Sequence, residues 1–475
     1  VHAMRPLRSG APADGAAPAG QVLQTIAVQA QRQPWWHRNA FDSLFAALVL
    51  LAGGLVWWRL HAAMDGYEQA LLLAAVPACI ALGWFWRPLA RLMPVVALGV
   101  GAAVALYRGD VQRAGQSFGL KYLLSSQSAL LWMGVLVLMA TLCHWLGMGA
   151  RVAAAKPAPG QAGGAASGQG NVAQRMGTWL AWAAVGMALI GSGVRWYESY
   201  LLTPQAGHMP LSNLYEVFVL FIWMTLLFGL YFESRRNAYG LNAFVLLVVS
   251  AAVIFLFWYS ATRQGQLIQP LVPALQSWWM KLHVPANIVS YGMFALAAMA
   301  GLVSLLKTAS ARALWLGLVG SQVLVAALLL ALAYGMGLET AKLASLSRLL
   351  LGLGIVFALL IALRGPLNPR TPAVAVLDDV MYKTIAVGFA FFTIATFTGA
   401  LWAAEAWGAY WSWDPKEVWA LIVWLNYAIW LHLRLVKGLR GRMAAWWALA
   451  GLVVVTFAFI GVNMFLGGKH SYGEI

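Results

Sequence analysis

Apolar stretches of about 20 residues follow one another along almost the whole chain, each closed by a short polar or charged run. The pattern predicts about thirteen helices, over residues 41–60, 68–86, 89–107, 127–149, 176–196, 212–232, 241–260, 285–306, 313–335, 349–363, 384–402, 418–436 and 445–466. No alternating strand pattern competes with them. A helix satisfies its own backbone hydrogen bonds in lipid, so the expected fold class is an all-α polytopic integral membrane protein. Two stretches break the rhythm. Residues 1–40 are expected to form a disordered cytoplasmic tail, and the Ala/Gly/Pro bias of AAAKPAPGQAGGAASGQG predicts a flexible linker over 150–174. These divide an accessory four-helix membrane unit at 41–149 from a core at 175–475, with long outer loops at 261–283 and 403–416.

Composition agrees with that class. The chain of 475 residues is 62% hydrophobic and 10% charged, against roughly 25% charged residues in soluble domains. Its net charge of +16 raises the question of nucleic acid, and the placement of the charge answers it. With the N-terminus cytoplasmic and the spans alternating, most Lys and Arg fall in the inner loops, among them Arg87/Arg91, Arg235/Arg236 and Arg434/Lys437/Arg440/Arg442. That asymmetry is the positive-inside rule of a multi-pass membrane protein, with lipid and not nucleic acid as its surroundings, and with thirteen spans it puts the C-terminus on the outer side. The loop at 108–126, with Arg108, Arg113 and Lys121, runs against it. Cys79 and Cys143 lie in separate apolar spans and no CxxC occurs, so neither a thiol relay nor a haem-attachment motif belongs to this chain. Residues 1–33 lack the hydrophobic segment of a cleavable signal.

Candidate chemistry gathers in WGAYWSWDPKEVW, residues 407–419. Asp414-Pro415-Lys416-Glu417 reads as a helix start, with Asp at the N-cap, Pro at N1 and Glu at N3. That leaves Trp407, Tyr410, Trp411 and Trp413 without a local reason. The same outer face is expected to collect His208 in the loop 197–211, His283 at the mouth of a helix, and His470 in the tail GGKHSYGEI. A flat apolar ligand with a central metal needs aromatic walls and axial imidazoles, which suits haem better than a free ion. Interfacial anchoring is the plain alternative for each tryptophan, and capping for each histidine. His432 stands apart. It lies 18 residues past Asp414, hence about 27 Å along a helix, on a face with Leu421, Leu425 and Ala428. An ionisable group at that depth marks a second site, whose other ligand is either His144 or a histidine of another subunit. A proton-coupled transporter using His432 is a rival, weakened by the scarcity of intramembrane acids, since Glu339 and Glu405 sit at loop edges.

At this level of detail WGAYWSWDPKEVWALIVWLNYAIWLHLR resembles the signature of the tryptophan-rich WWD haem-handling family. GVNMFLGGKHSYGE and PALQSWWMKLHVPANIVSYG resemble its system II cytochrome c biogenesis branch, the CcsA/ResC type (CcsB in some bacterial naming). The resemblance covers roughly residues 175–475, and the segments at 313–363 depart from compact members. It implies a membrane subunit of a cytochrome c synthase, or haem lyase complex, that works with a ResB-type partner and depends indirectly on thiol-reducing proteins. Such a subunit carries haem b to the outer face and presents it for thioether attachment to CxxCH motifs of apocytochrome c. By the resemblance, His283 and His470 are the outer axial ligands, Trp407, Trp411 and Trp413 cover the porphyrin, and His432 is the inner ligand, paired with the partner subunit. Asp414 either caps its helix or touches haem directly, and Lys416 is a candidate for a propionate. No nucleophile of this chain is required. An exporter or chaperone of haem without attachment activity is the alternative within the family.

Overall fold

The structure, a computed structural model, describes residues 39–62, 64, 66–154, 171–202, 207–236, 238–336, 340–466 and 468. The expected tail, most of the linker, Glu339 and His470 lie outside the described residues. Among those described, helices account for all regular structure, and 13 are long and apolar enough to cross a membrane. The helices are α1 (Ala40–Leu60), α2 (Gly66–Phe85), α3 (Arg87–Tyr107), α4 (Ser126–Ala154), α5 (Val172–Leu202), α6 (Leu214–Arg236), α7 (Tyr239–Arg263), α8 (Met280–Thr308), α9 (Ser321–Met336), α10 (Thr340–Ala362), α11 (Val374–Trp407), α12 (Pro415–Val436) and α13 (Gly441–Thr456), with the ninth and thirteenth spans, Ala311–Ala331 and Gly441–Gly461, taking in adjoining helical turns. A π-helical turn, Trp315–Gly320, leads into α9, and another, Phe457–Gly461, carries α13 on to Val462–Phe465.

Several helices outrun their apolar windows. The 34 residues of α11 give a length of about 51 Å, against about 30 Å of hydrocarbon. The polar ends therefore project. Trp407 consequently belongs to α11, not to a loop beginning at 403, because AAEAW holds good helix formers and nothing stops the helix before Gly408. That glycine closes it in a left-handed conformation, φ +77°. His283 likewise sits in the first turn of α8.

The chain packs as two units, Val1–Met93 and Pro94–Ile475. In the first, α1 packs on α2. Asn39 and Asp42 cap α1 reciprocally, with Asn39 Oδ1 accepting from Asp42 N at 3.0 Å and Asp42 Oδ2 from Asn39 N at 3.3 Å. Arg87 closes the corner with a 3.0 Å ion pair to Asp42.

In the second unit α8 is the axis, packed on α11, α13, α6 and α7. It is apolar on every side, as a helix sheathed by other helices must be. Small residues let the neighbours approach: a Cβ at Gly301 would stand 3.0 Å from the Ala445 carbonyl of α13. Helix α4 runs against α5 and α7, α9 pairs with α10, and α12 lies on α11 and α13.

Candidate functional site

Buried charge braces one end of this bundle. Arg195 of α5 and Glu216 of α6 form a 2.7 Å ion pair with 2% of either side chain exposed. Arg195 Nη1 donates to the Gln266 carbonyl at 2.6 Å, while Glu216 accepts from Ser212 N at 2.7 Å and Ser212 Oγ at 2.8 Å. His208 Nε2 lies 3.1 Å from Ser212 Oγ. Glu198, one turn from Arg195, accepts from Tyr107 at 2.5 Å and from Ser126 N at 2.9 Å. Farther along the bundle, Glu233 accepts from Thr178 at 2.6 Å and Asn242 at 2.5 Å. Three buried acids inside spanning helices correct the expectation that such acids are scarce. Each is satisfied by hydrogen bonds or a guanidinium, which is what lets it stay buried.

Held by that brace, the starts of α6, α8 and α12 and the ends of α7, α11 and α13 surround a cavity of about 220 Å³, and its open mouth brings the atom-free space to about 1490 Å³. Ser212, Asn213, Tyr259, His283, Asn287, Tyr291, Trp402, Tyr410, Trp411, Lys416, Glu417 and Asn463 line it together with aliphatic side chains. Segments near 211, 275–291, 392–417 and 458–463 thus meet at one place, although nearly 250 residues separate the outermost of them.

Two contacts seat the His283 ring. Nδ1 lies 2.7 Å from the Ala395 carbonyl and Nε2 lies 2.9 Å from Asn287 Nδ2. One turn beyond Ala395, Gly399 leaves room for the imidazole, since a Cβ there would stand 2.7 Å from ring atoms Cε1 and Nδ1. Trp402 is buried, its Nε1 donating to the Ala274 carbonyl at 2.7 Å, and its ring centre is 5.5 Å from that of His283. Trp407 follows at 6.1 Å from Trp402. Trp411 meets Trp413 edge to face at 5.9 Å. Trp413 is 70% exposed and has φ +58°, an uncommon conformation for a bulky side chain.

The helix start expected from DPKE is present. Asp414 Oδ1 accepts from Lys416 N at 3.1 Å, and Glu417 reaches back to Asp414 N at 3.2 Å and to Ser412 N at 2.7 Å. Asp414 has a second neighbour, Gly468, where an added Cβ would fall inside the carboxylate. His470 is two positions farther on, outside the described residues.

His432 lies at the opposite end of α12, 17 residues and about 26 Å from Pro415, and is exposed. Ile422, Leu425 and Ile429 share its exposed stripe. His144 is fully buried on α4 against Gly177, with neither ring nitrogen hydrogen-bonded. It does not meet His432, because α4 packs on α5 and α7 whereas α12 packs on α11 and α13. The structure therefore brings together His283, Trp411 and the neighbourhood of Asp414, sets Trp407 and Trp413 at the margin, and keeps His432 apart. Trp402, Asn287, Gly399 and the Arg195–Glu216 pair were not anticipated. The acids in VRWYESY and NLYEVF, set inside apolar spans, were the available signal for the last.

Residues fit for a metal macrocycle are present: an imidazole, aromatic walls and a lysine. Among the described residues no group of three or more His, Cys, Asp or Glu gathers.

The profile of the Cytochrome C assembly protein family matches residues 211–470, which span the cavity from Leu211 onward. The protein named "Cytochrome c biogenesis protein CcsA" from Guillardia theta is 34% identical over 284 residues, covering 59% of this chain and 80% of that protein. Its namesake from Synechococcus sp. (strain CC9311) is 37% identical over 284 residues, 82% of its own length. That from Microcystis aeruginosa is 36% identical over 293 residues, again 82% of its length.

Proposed function

Because the chain belongs to the Cytochrome C assembly protein family and is a multi-pass membrane protein of cytochrome c biogenesis, we propose that it holds haem b, its substrate, in the cavity around His283 and presents it for attachment to apocytochrome c. The observation that carries this reading is the seat of His283. A carbonyl oxygen can only accept, so Ala395 holds the proton on Nδ1, and the lone pair of Nε2, met by the Asn287 amide, is the one a metal would take.

The rest of the cavity suits the task. Trp402 and Trp411 wall it, Lys416 offers a cation to a propionate, and Asp414 with Gly468 tethers the tail that bears His470. His470, which lies outside the described residues, is the second axial ligand in this reading. A volume of about 220 Å³ is small beside the 300–1,000 Å³ of ordinary ligand sites. A porphyrin seated there keeps an edge in the open mouth. Attachment needs that edge. Each cysteine S–H of the apocytochrome adds across a vinyl C=C, forming one C–S bond and leaving the thiol proton on the terminal carbon, with no net oxidation. The chain supplies position, and proximity supplies the rate.

His432 serves a separate inner site. An exposed, ionisable side chain on an apolar stripe in the membrane is costly unless another protein covers it. The ResB-type subunit is that cover and brings the second inner ligand. The cavity then faces the periplasm and the N-terminus the cytoplasm of a bacterial inner membrane.

The test is reconstitution. Purified with a ResB-type partner, the protein is expected to carry b-type haem with a six-coordinate, low-spin spectrum, and His283→Gly is expected to lose it. An unaltered spectrum in that variant removes His283 as a ligand. Co-expression with an apocytochrome is expected to give covalent haem staining. Haem-loaded protein that never yields stained cytochrome under reducing conditions favours an exporter without attachment activity.

A further inference from the structure

His283 and Asn287 stand one turn apart on α8, and both line the cavity. The Ala395 carbonyl, 2.7 Å from Nδ1, demands a proton there, and the Asn287 amide nitrogen, 2.9 Å from Nε2, can only donate. Both neighbours suit the same tautomer, with the proton on Nδ1 and the lone pair on Nε2. Turning the amide over would set its oxygen against Nε2 and require a second ring proton.

We propose that in the haem-free protein the Asn287 amide is a displaceable cap on His283 Nε2. It is a positioning residue that keeps the Nε2 lone pair occupied by a weak, reversible donor. The functional consequence rests on the reading of His283 as an axial ligand: one lone pair cannot serve both an amide hydrogen and iron, so ligation breaks the Asn287 contact. The exchange costs one neutral hydrogen bond, or about five-fold in affinity. The cap keeps the imidazole ready for iron while lowering its reactivity toward anything that binds more weakly.

The test uses the full-length chain, stripped of haem, in lipid nanodiscs. The rate of His283 acylation by diethyl pyrocarbonate, which attacks an unprotonated ring nitrogen, is read by peptide mass spectrometry. Asn287→Ala and the better-filling Asn287→Leu are expected to raise it about five-fold. Asn287→Asp is expected to lower it, because a carboxylate only accepts and draws a proton onto Nε2. Equal rates in wild type and all three variants overturn the cap. Haem b titration of the same preparations separates this from the functional reading. About five-fold tighter binding in Asn287→Leu with an intact low-spin spectrum supports both. Faster acylation with unchanged haem affinity keeps the cap and removes His283 from the iron.

Discussion

Adding a single methyl group at Gly399 tests whether the ring seat positions His283. In Gly399→Ala the new Cβ would stand 2.7 Å from His283 Cε1 and Nδ1, where ordinary contact begins at 3.4 Å. The imidazole must retreat by about 0.7 Å, and its 2.7 Å bond to Ala395 stretches past the usual 3.2 Å limit. Losing that bond costs about 1 kcal/mol, and overpacking costs about 1–3 kcal/mol. Alanine in a helix interior returns about 1 kcal/mol over glycine. The net loss, about 1–3 kcal/mol, leaves the bundle folded while shifting its proposed ligand by most of an ångström. We expect a thermal midpoint within a few degrees of wild type but roughly ten-fold less retained haem, since misplacement of about 1 Å is worth orders of magnitude in a positioned reaction. Haem per protein, by pyridine haemochrome and visible spectrum, is the assay. Gly388→Ala is the control on the same helix: its Cβ would meet Phe294 at 2.8 Å, so it should cost similar stability and leave haem untouched. Wild-type haem content in Gly399→Ala, or equal losses in both variants, would refute the reasoning.

Arg195→Met should destabilise by about 3–5 kcal/mol, because it strands Glu216 without its guanidinium; Arg195→Met with Glu216→Leu should recover most of that, read as monodisperse yield and thermal midpoint. Asp414→Asn keeps a cap and Asp414→Ala loses about 1 kcal/mol of it, so helix-capping alone predicts that only the alanine variant suffers. If Asp414 also holds the tail, Gly468→Val should cut haem retention as deeply as Asp414→Ala without lowering the thermal midpoint. Trp413→Gly relieves a left-handed conformation worth about 1–2 kcal/mol, so stability should hold or rise while cytochrome staining falls; unchanged staining would mean that the exposed indole has no part in presentation.

The spans were legible because lipid imposes a length on apolar runs, and DPKE announced its helix start because a cap is written within four residues. The convergence of His283 with the tryptophan segment followed from alternation of the spans alone. Contacts across sequence were not legible. Nothing near His283 says that its ring will lie in a groove between Ala395 and Gly399, over 100 positions away, and a glycine inside an apolar helix looks like any other small residue. The buried acids were passed over for a different reason: Glu198 and Glu216 sit near the ends of long helices, where a charge ordinarily reads as solvent-facing, and only the Arg195 and Tyr107 partners reveal them as structural.

Helix α12 shows how these two kinds of information join. Its first turn is tied to the cavity through Lys416 and Glu417, its buried face through Tyr427 and Trp430 to the core, and its last turn through Arg434 to Asp378. Fixed at three levels, it cannot slide to bring His432 toward His283, and the roughly 26 Å along the helix between Pro415 and His432 is a constant of the fold. Any haem that uses both histidines must therefore move along the helix rather than be shared across it. The exposed stripe of Ile422, Leu425, Ile429 and His432 is the one face of α12 that could line such a path once a partner covers it.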